Sequence, residues 1–263
     1  MRVSVKQIRM FLECPRRWAL HYLARVPQLQ GPALVEGNAL HSQLAALVAG
    51  TPPPYDRESR YGKLGQAMIE HLPQRESATP EVAWVIDGPN CQIDLRCDVV
   101  WRAPCDEGFL DWKSTGAQRP TQKLPGGEAY WTLQSLADDP QARIYAWGLM
   151  LRWGRPTIRA RWVYGSKRFD PGQTPRTWVV DHVFERDETA AWVETNVFPV
   201  IEAIRAHRAA FAAAAFQCRD VPHRPEACDW TGRWCDAAGQ CGLITSPIGT
   251  YADLHLPVIP TKG

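Results

Sequence analysis

"FLDWKST", residues 109–115, decides how the fold is read. Its apolar and aromatic residues suit a strand buried in a sheet, yet it carries an acid and a base two positions apart. Side chains alternate between the two faces of a strand. Asp111 and Lys113 therefore share one face, and Leu110 and Trp112 the other. Burying either charge is costly unless it pairs, reaches water or holds an ion. On these residues alone a salt bridge at a strand end is the simpler account, because acid-x-lysine recurs by chance. The flanking sequence has to decide between that pair and a site.

The preceding run, "CQIDLRCDVVW" (91–101), reads as a second strand with Asp94 and Asp98 on one face. At about 3.3 Å per residue they lie roughly 13 Å apart, so only one can join Asp111 in a compact site. Asp98 is the choice, since it lies nearer the turn into 108–115, while Asp94 can form a surface pair with Arg96. Two carboxylates converging from adjacent strands make a hard, oxygen-rich site suited to Mg2+ or Mn2+. Beside such an ion Lys113 can orient an attacking oxygen or stabilise negative charge developing on a phosphate.

Further out, Ser4 with Gln7 has the form of a capping box, and Val5, Ile8, Phe11 and Leu12 follow helical spacing. Pro15 suits the first position of a second helix, with Cys14 at the turn between the two. Residues 33–50 read as a helix stopped by Gly50 and "TPPPY". It would place His41 on the side of Leu34, Gly37, Asn38, Leu44 and Val48. A helix over 60–72 precedes strands at 81–87, 91–101 and 108–115. A helix over 139–153, strands at 157–165 and 176–184, and one long helix over 187–216 complete the order, which predicts an α/β arrangement of helices around a mixed sheet. Nothing in the sequence repeats.

The bulk numbers exclude rather than identify. With 263 residues and 45% hydrophobic content the chain can bury a core as a single domain, and a formal charge of +2 neither requires nor forbids a polyanionic partner. The N-terminus lacks the apolar run of a signal peptide and no stretch reaches membrane-spanning length. The expectation is a cytoplasmic protein without a membrane partner. Eight cysteines in that setting point to packing, redox chemistry or metal ligation rather than disulfides.

The order of these features resembles the PD-(D/E)xK nuclease superfamily, and within it the RecB-like branch that includes the CRISPR-adaptation exonuclease, the AddB nuclease and phage exonucleases. Cys14-Pro15, the Gly37-x3-His41 helix, Asp98, "DWK" and the Gln141-x3-Tyr145 helix stand in that branch's order. The resemblance implies a restriction-endonuclease-like α/β fold, with a mixed sheet flanked by helices and a Cys-rich C-terminal segment tied to the N-terminal helices. It implies that Asp98 and Asp111, with the Trp112 carbonyl, bind Mg2+ or Mn2+, and that His41 serves a second ion. Lys113 would position the nucleophile, and Gln141 and Tyr145, on one helical face, would contact DNA or support the site. The family commonly has Gly two residues before the first Asp, where this sequence has Arg96, which keeps Asp94 as a substitute for Asp98.

Cys14 and the tail cysteines Cys228, Cys235 and Cys241 could hold an iron-sulfur cluster or zinc by thiolate softness alone. The resemblance, through its one-plus-three split, implies a four-iron four-sulfur cluster joining 1–25 to 218–245. Cys218 competes as a ligand, and Cys91, Cys97 and Cys105 are expected to be buried or in turns. Arg16, Arg17, Lys167 and Arg168 are candidates for phosphate contacts, and the twelve tryptophans are expected mainly in the core. The function implied is a metal-dependent deoxyribonuclease, an exonuclease acting on DNA ends in recombination, repair or phage DNA processing, with a helicase or recombination partner. The alternatives are a nuclease-like module that binds DNA or a partner without cutting, and a zinc-stapled interaction domain.

Overall fold

A computed structural model describes residues 1–27, 32–104, 106–117, 123–124, 127–128, 133–170, 172–213 and 221–222. The chain opens with strand β1 (Arg2–Ser4), helices α1 (Val5–Glu13), α2 (Pro15–Tyr22), α3 (Pro32–Ala49) and α4 (Arg60–Ile69), and strands β2 (Ala78–Gly88), β3 (Cys91–Ala103) and β4 (Asp106–Thr115). The two-residue strands β5 (Lys123–Leu124) and β6 (Gly127–Glu128) follow, then α5 (Leu133–Ala137), α6 (Pro140–Trp153), β7 (Thr157–Ser166), β8 (Thr177–Glu185), α7 (Arg186–Asn196) and α8 (Phe198–Ala212).

Local chemistry sets most of these boundaries. The Ser4 hydroxyl accepts from the Gln7 N–H at 3.3 Å and opens α1. Asp139 accepts from the Ala142 N–H at 2.8 Å ahead of Pro140 and opens α6, which Gly154 ends at φ 66°. The β2–β3 hairpin turns at Pro89 and Asn90, the latter at φ 58°, where Asn tolerates the left-handed conformation that a tight turn demands. Two expectations need correcting. The helix foreseen over 187–216 is two helices meeting at Val197, with Pro199 inside the first turn of α8, where its missing N–H has no helical partner to lose. The helix foreseen to residue 72 ends at Ile69.

The sheet order is β1-β3-β4-β7-β8, with β2 along the other edge of β3. β3 runs antiparallel to β2 and β4, β4 is parallel to β7, and β1 is parallel to the start of β3. The mixed sheet flanked by helices is the restriction-endonuclease-like arrangement. One cluster of buried side chains joins α1, α2, α6, α7 and α8 to Ile93, Leu95, Cys97, Phe109, Trp162 and Tyr164 of the sheet. The other joins α3 and α4, through Leu40, Leu44, Leu64 and Met68, to Val99, Trp101, Leu110, Trp112 and Val163.

Two features of β3 matter for function. On its β4-facing edge it pairs with β1 at residues 92–94 and with β4 at residues 99–103. Between them, at residues 95–98, the sheet forks. Side-chain alternation also breaks there: Ile93, Leu95 and Cys97 pack in one cluster, while Val99 and Trp101 pack in the other. A regular strand would keep all five on one face. Asp98 sits at this break, and Glu81, opposite it on β2, has φ 50°.

Candidate active site

The site is built around the fork. β4 separates from β3 beyond the Val99–Leu110 pair, which leaves the Trp112 N–H without a backbone acceptor on β3. Asp98 supplies one: its Oδ2 accepts that N–H at 2.8 Å. Its other oxygen lies 3.2 Å from Nδ1 of His41 on α3. Burial raises the Asp98 pKa, but the His41 bond and charge, the Trp112 N–H and the Lys113 ammonium more than offset it and hold the carboxyl below the usual aspartate range. Burial likewise lowers the His41 pKa, and the bond to Asp98 with the charges of Asp98 and Asp111 overturns that and leaves the imidazole more basic than usual.

Asp111 and Lys113 share a face, as strand alternation requires, and form a direct ion pair. Asp111 is 6% exposed. Burial, with Asp98 adding repulsion, pushes its pKa up to about 6 against the pull of Lys113. Lys113 is desolvated too, yet the Asp111 charge and hydrogen bond keep its ammonium pKa above normal, and it lies 5.8 Å over the Trp162 ring.

The α6 pair lies behind the acids. Gln141 Nε2 donates to the Tyr145 hydroxyl at 3.4 Å. Tyr145 is 7% exposed, packs edge-on against Phe109 at 5.6 Å and hydrogen-bonds the backbone of Arg96. It thus plugs the fork in β3 from the helix side. Burial, with Cys97, Asp111 and Asp98 adding negative potential, drives its pKa far upward and keeps it neutral.

Sequence reasoning missed two neighbours. Arg9 of α1 donates to Gln141 Oε1 at 3.3 Å and to Glu13 at 3.0 Å. Burial lowers its pKa, and the charges of Asp139, Glu13 and Asp111 more than restore it. Glu81 offers a carboxylate oxygen in a group with His41 and Asp98 whose ligand atoms all lie within 4.8 Å of one another. The signal for Glu81 was in the hairpin: counting back from the two-residue turn at 89–90 places 81 opposite 98. Arg9 carried none, since helical position alone cannot say which helix a residue will meet.

Asp94 pairs with Arg2 at 2.6 Å, not with Arg96, whose Nε donates to Glu81 at 2.8 Å. The stand-in for Asp98 is therefore occupied elsewhere. Among the phosphate candidates, Lys167 pairs with Glu36 at 2.7 Å and Arg17 with Glu13 at 3.4 Å. Arg16 donates to the carbonyls of Val221 (2.9 Å) and Pro222 (3.1 Å), so described tail residues return beside the Cys14 turn. Cys14, Cys91 and Cys97 are buried with free thiols. Cys105, Cys218, Cys228, Cys235 and Cys241 lie outside the described residues. No helix among the described residues is long and apolar enough to cross a membrane.

Residues 2–103, the segment that carries His41, Glu81 and Asp98, match the model of the PD-(D/E)XK nuclease superfamily. A solved candidate exonuclease from Eubacterium rectale is similar to the chain at 14% identity and a TM-score of 0.53, covering 97% of this chain and 93% of its own, which supports the fold. The solved structure of SSO0001 is similar at 12% identity and a TM-score of 0.38, covering 74% of this chain and 75% of its own. No curated protein matches the sequence.

Proposed function

We propose that the protein is a Mg2+- or Mn2+-dependent deoxyribonuclease, acting as an exonuclease on DNA ends. The observation that carries this reading is the convergence of Asp98, Asp111 and Lys113 at the fork, in a chain whose N-terminal segment matches a nuclease superfamily. The donor set fits a hard divalent cation: Asp98 is held ionised, and Asp111 changes charge near pH 6, so both are anionic at neutral pH. Asp98, Asp111 and the Trp112 carbonyl would hold the cation, which supplies charge neutralisation for phosphodiester hydrolysis.

The chain's own residues do the rest. Lys113, pinned by Asp111 and flanked by Trp162, offers N–H donors that orient the attacking water and neutralise charge on the phosphate. Gln141, bonded to Arg9 and to the Tyr145 hydroxyl, has a side-chain amide that can bond a strand phosphate, while Tyr145 positions β3 rather than touching substrate. We further propose that Cys14 with Cys228, Cys235 and Cys241 holds a four-iron four-sulfur cluster, supported by the buried Cys14 thiol and by the tail contacts to Arg16. Roles in recombination, repair or phage DNA processing, with a helicase partner, belong to the same proposal.

The test is digestion of linear single- and double-stranded DNA labelled at either end, with Mg2+ or Mn2+ under reducing conditions. Progressive loss of label from one end supports an exonuclease. Intact substrate in every condition would refute the nuclease reading.

A further inference from the structure

His41, Glu81 and Asp98 come from three elements, α3, β2 and β3, and present an imidazole nitrogen and two carboxylates within 4.8 Å of one another. The β2–β3 register pairs Pro80 with Val99 and Val82 with Cys97, which sets Glu81 directly across from Asp98. Two carboxylates facing each other across a ladder repel. Here a different side chain holds each one: His41 lies on Asp98 and Arg96 on Glu81. The two holdings are unequal. The His41 and Asp98 side chains are 34% and 16% exposed and Glu81 is 32% exposed, whereas the Arg96 side chain is 73% exposed. An ion pair whose arginine lies mostly in water contributes little, so Glu81 is the less firmly held of the two carboxylates.

We propose that Glu81 joins His41 and Asp98 as protein ligands of a second divalent cation, with Asp98 shared between it and the cation held by Asp111. The inference rests on the reading of Asp98 and Asp111 as cation ligands. Asp98 has the geometry for sharing, since Oδ1 faces His41 and Oδ2 faces β4. Arg96 is the placeholder: it keeps Glu81 beside Asp98 and neutralised until a cation takes over its carboxylate. One nitrogen and two oxygens favour Mn2+ over Mg2+, whose preference for oxygen is stricter.

The experiment is titration of the full chain with Mn2+, following free Mn2+ by electron paramagnetic resonance and heat by calorimetry. Wild type should bind two ions. Asp111→Asn should keep one, and Glu81→Gln should weaken one site by at least about tenfold, the lower end of what loss of even an outer-shell partner costs. Thermal unfolding without Mn2+ checks that each variant is folded. Arg96→Gln leaves all three ligands in place and should tighten the second site several-fold. Wild type binding a single ion, Glu81→Gln matching wild type, or Arg96→Gln failing to tighten binding would each overturn the proposal. Two ions bound with DNA left uncut would keep the second site and refute the nuclease reading; DNA cut with one ion bound would do the reverse.

Discussion

The two halves of the site hold their carboxylates in opposite ways. On the α3 side, Asp98 is kept ionised by His41 and a backbone N–H, groups that leave oxygen lone pairs free for a cation. On the β4 side, Asp111 is buried more deeply and turned onto its own neighbour Lys113. Without a cation, the first half is a ready acceptor and the second an internally neutralised pair. The difference teaches that environment, not residue type, divides the labour between two aspartates one strand apart.

The largest effect should come from removing Lys113. Lys113→Ala leaves Asp111 without its ammonium, and the rate of DNA cleavage should fall by about 10²- to 10³-fold, the range typical of losing one donor aimed at developing charge, with substrate binding changed far less. Separate kcat and KM values check this. His41→Asn should act on the other half: Mn2+ affinity measured by calorimetry should drop about 10- to 100-fold, as expected when a group orienting or sharing a ligand is lost.

The pH dependence sharpens the contrast. Asp111 has its folded pKa raised from 3.8 to about 6, so it favours the folded state at low pH and that advantage is lost as pH rises through about 6. Asp98 is depressed; its contribution is present above the unfolded value and is lost only as pH falls below it. Thermal melts of the cation-free protein should therefore show wild type gaining stability relative to Asp111→Asn as pH falls from 7 to 4.5, by about 2 kcal/mol at 1.36 kcal/mol per unit. No such gain should appear in wild type relative to Asp98→Asn over that window. The smallest effect lies away from the site. Ser4→Ala removes the cap of α1 and should lower stability by about 1 kcal/mol in denaturant unfolding, leaving cleavage unchanged.

The strands and the acid–base pair were legible because "FLDWKST" and "CQIDLRCDVVW" carry a period-two pattern bounded by turn residues, and a period of two fixes which side chains share a face. The break in that pattern at Asp98 was legible only in part: "VVW" puts three apolar residues in succession, which signals burial on both faces but not that the strand switches clusters. Arg96 was assigned to Asp94 because sequence proximity suggested it, whereas strand pairing offered Glu81 instead. Helix α7–α8 read as continuous since Pro199 is tolerated in a first turn, so its presence does not by itself announce a break. Tyr145 was recognised by spacing to Gln141, but its plugging of the forked sheet depends on β1 and β4 pairing with different halves of β3, a topology no local pattern encodes.

Asp98 is proposed as the anchor for the catalytic divalent cations. Anomalous diffraction from crystals of the protein soaked in Mn2+ tests it most directly. Strong peaks in contact with Asp98, bordered by Asp111 and lost in Asp98→Asn crystals, are the expected result; peaks elsewhere on the molecule, or peaks at the fork that persist in Asp98→Asn, would contradict it.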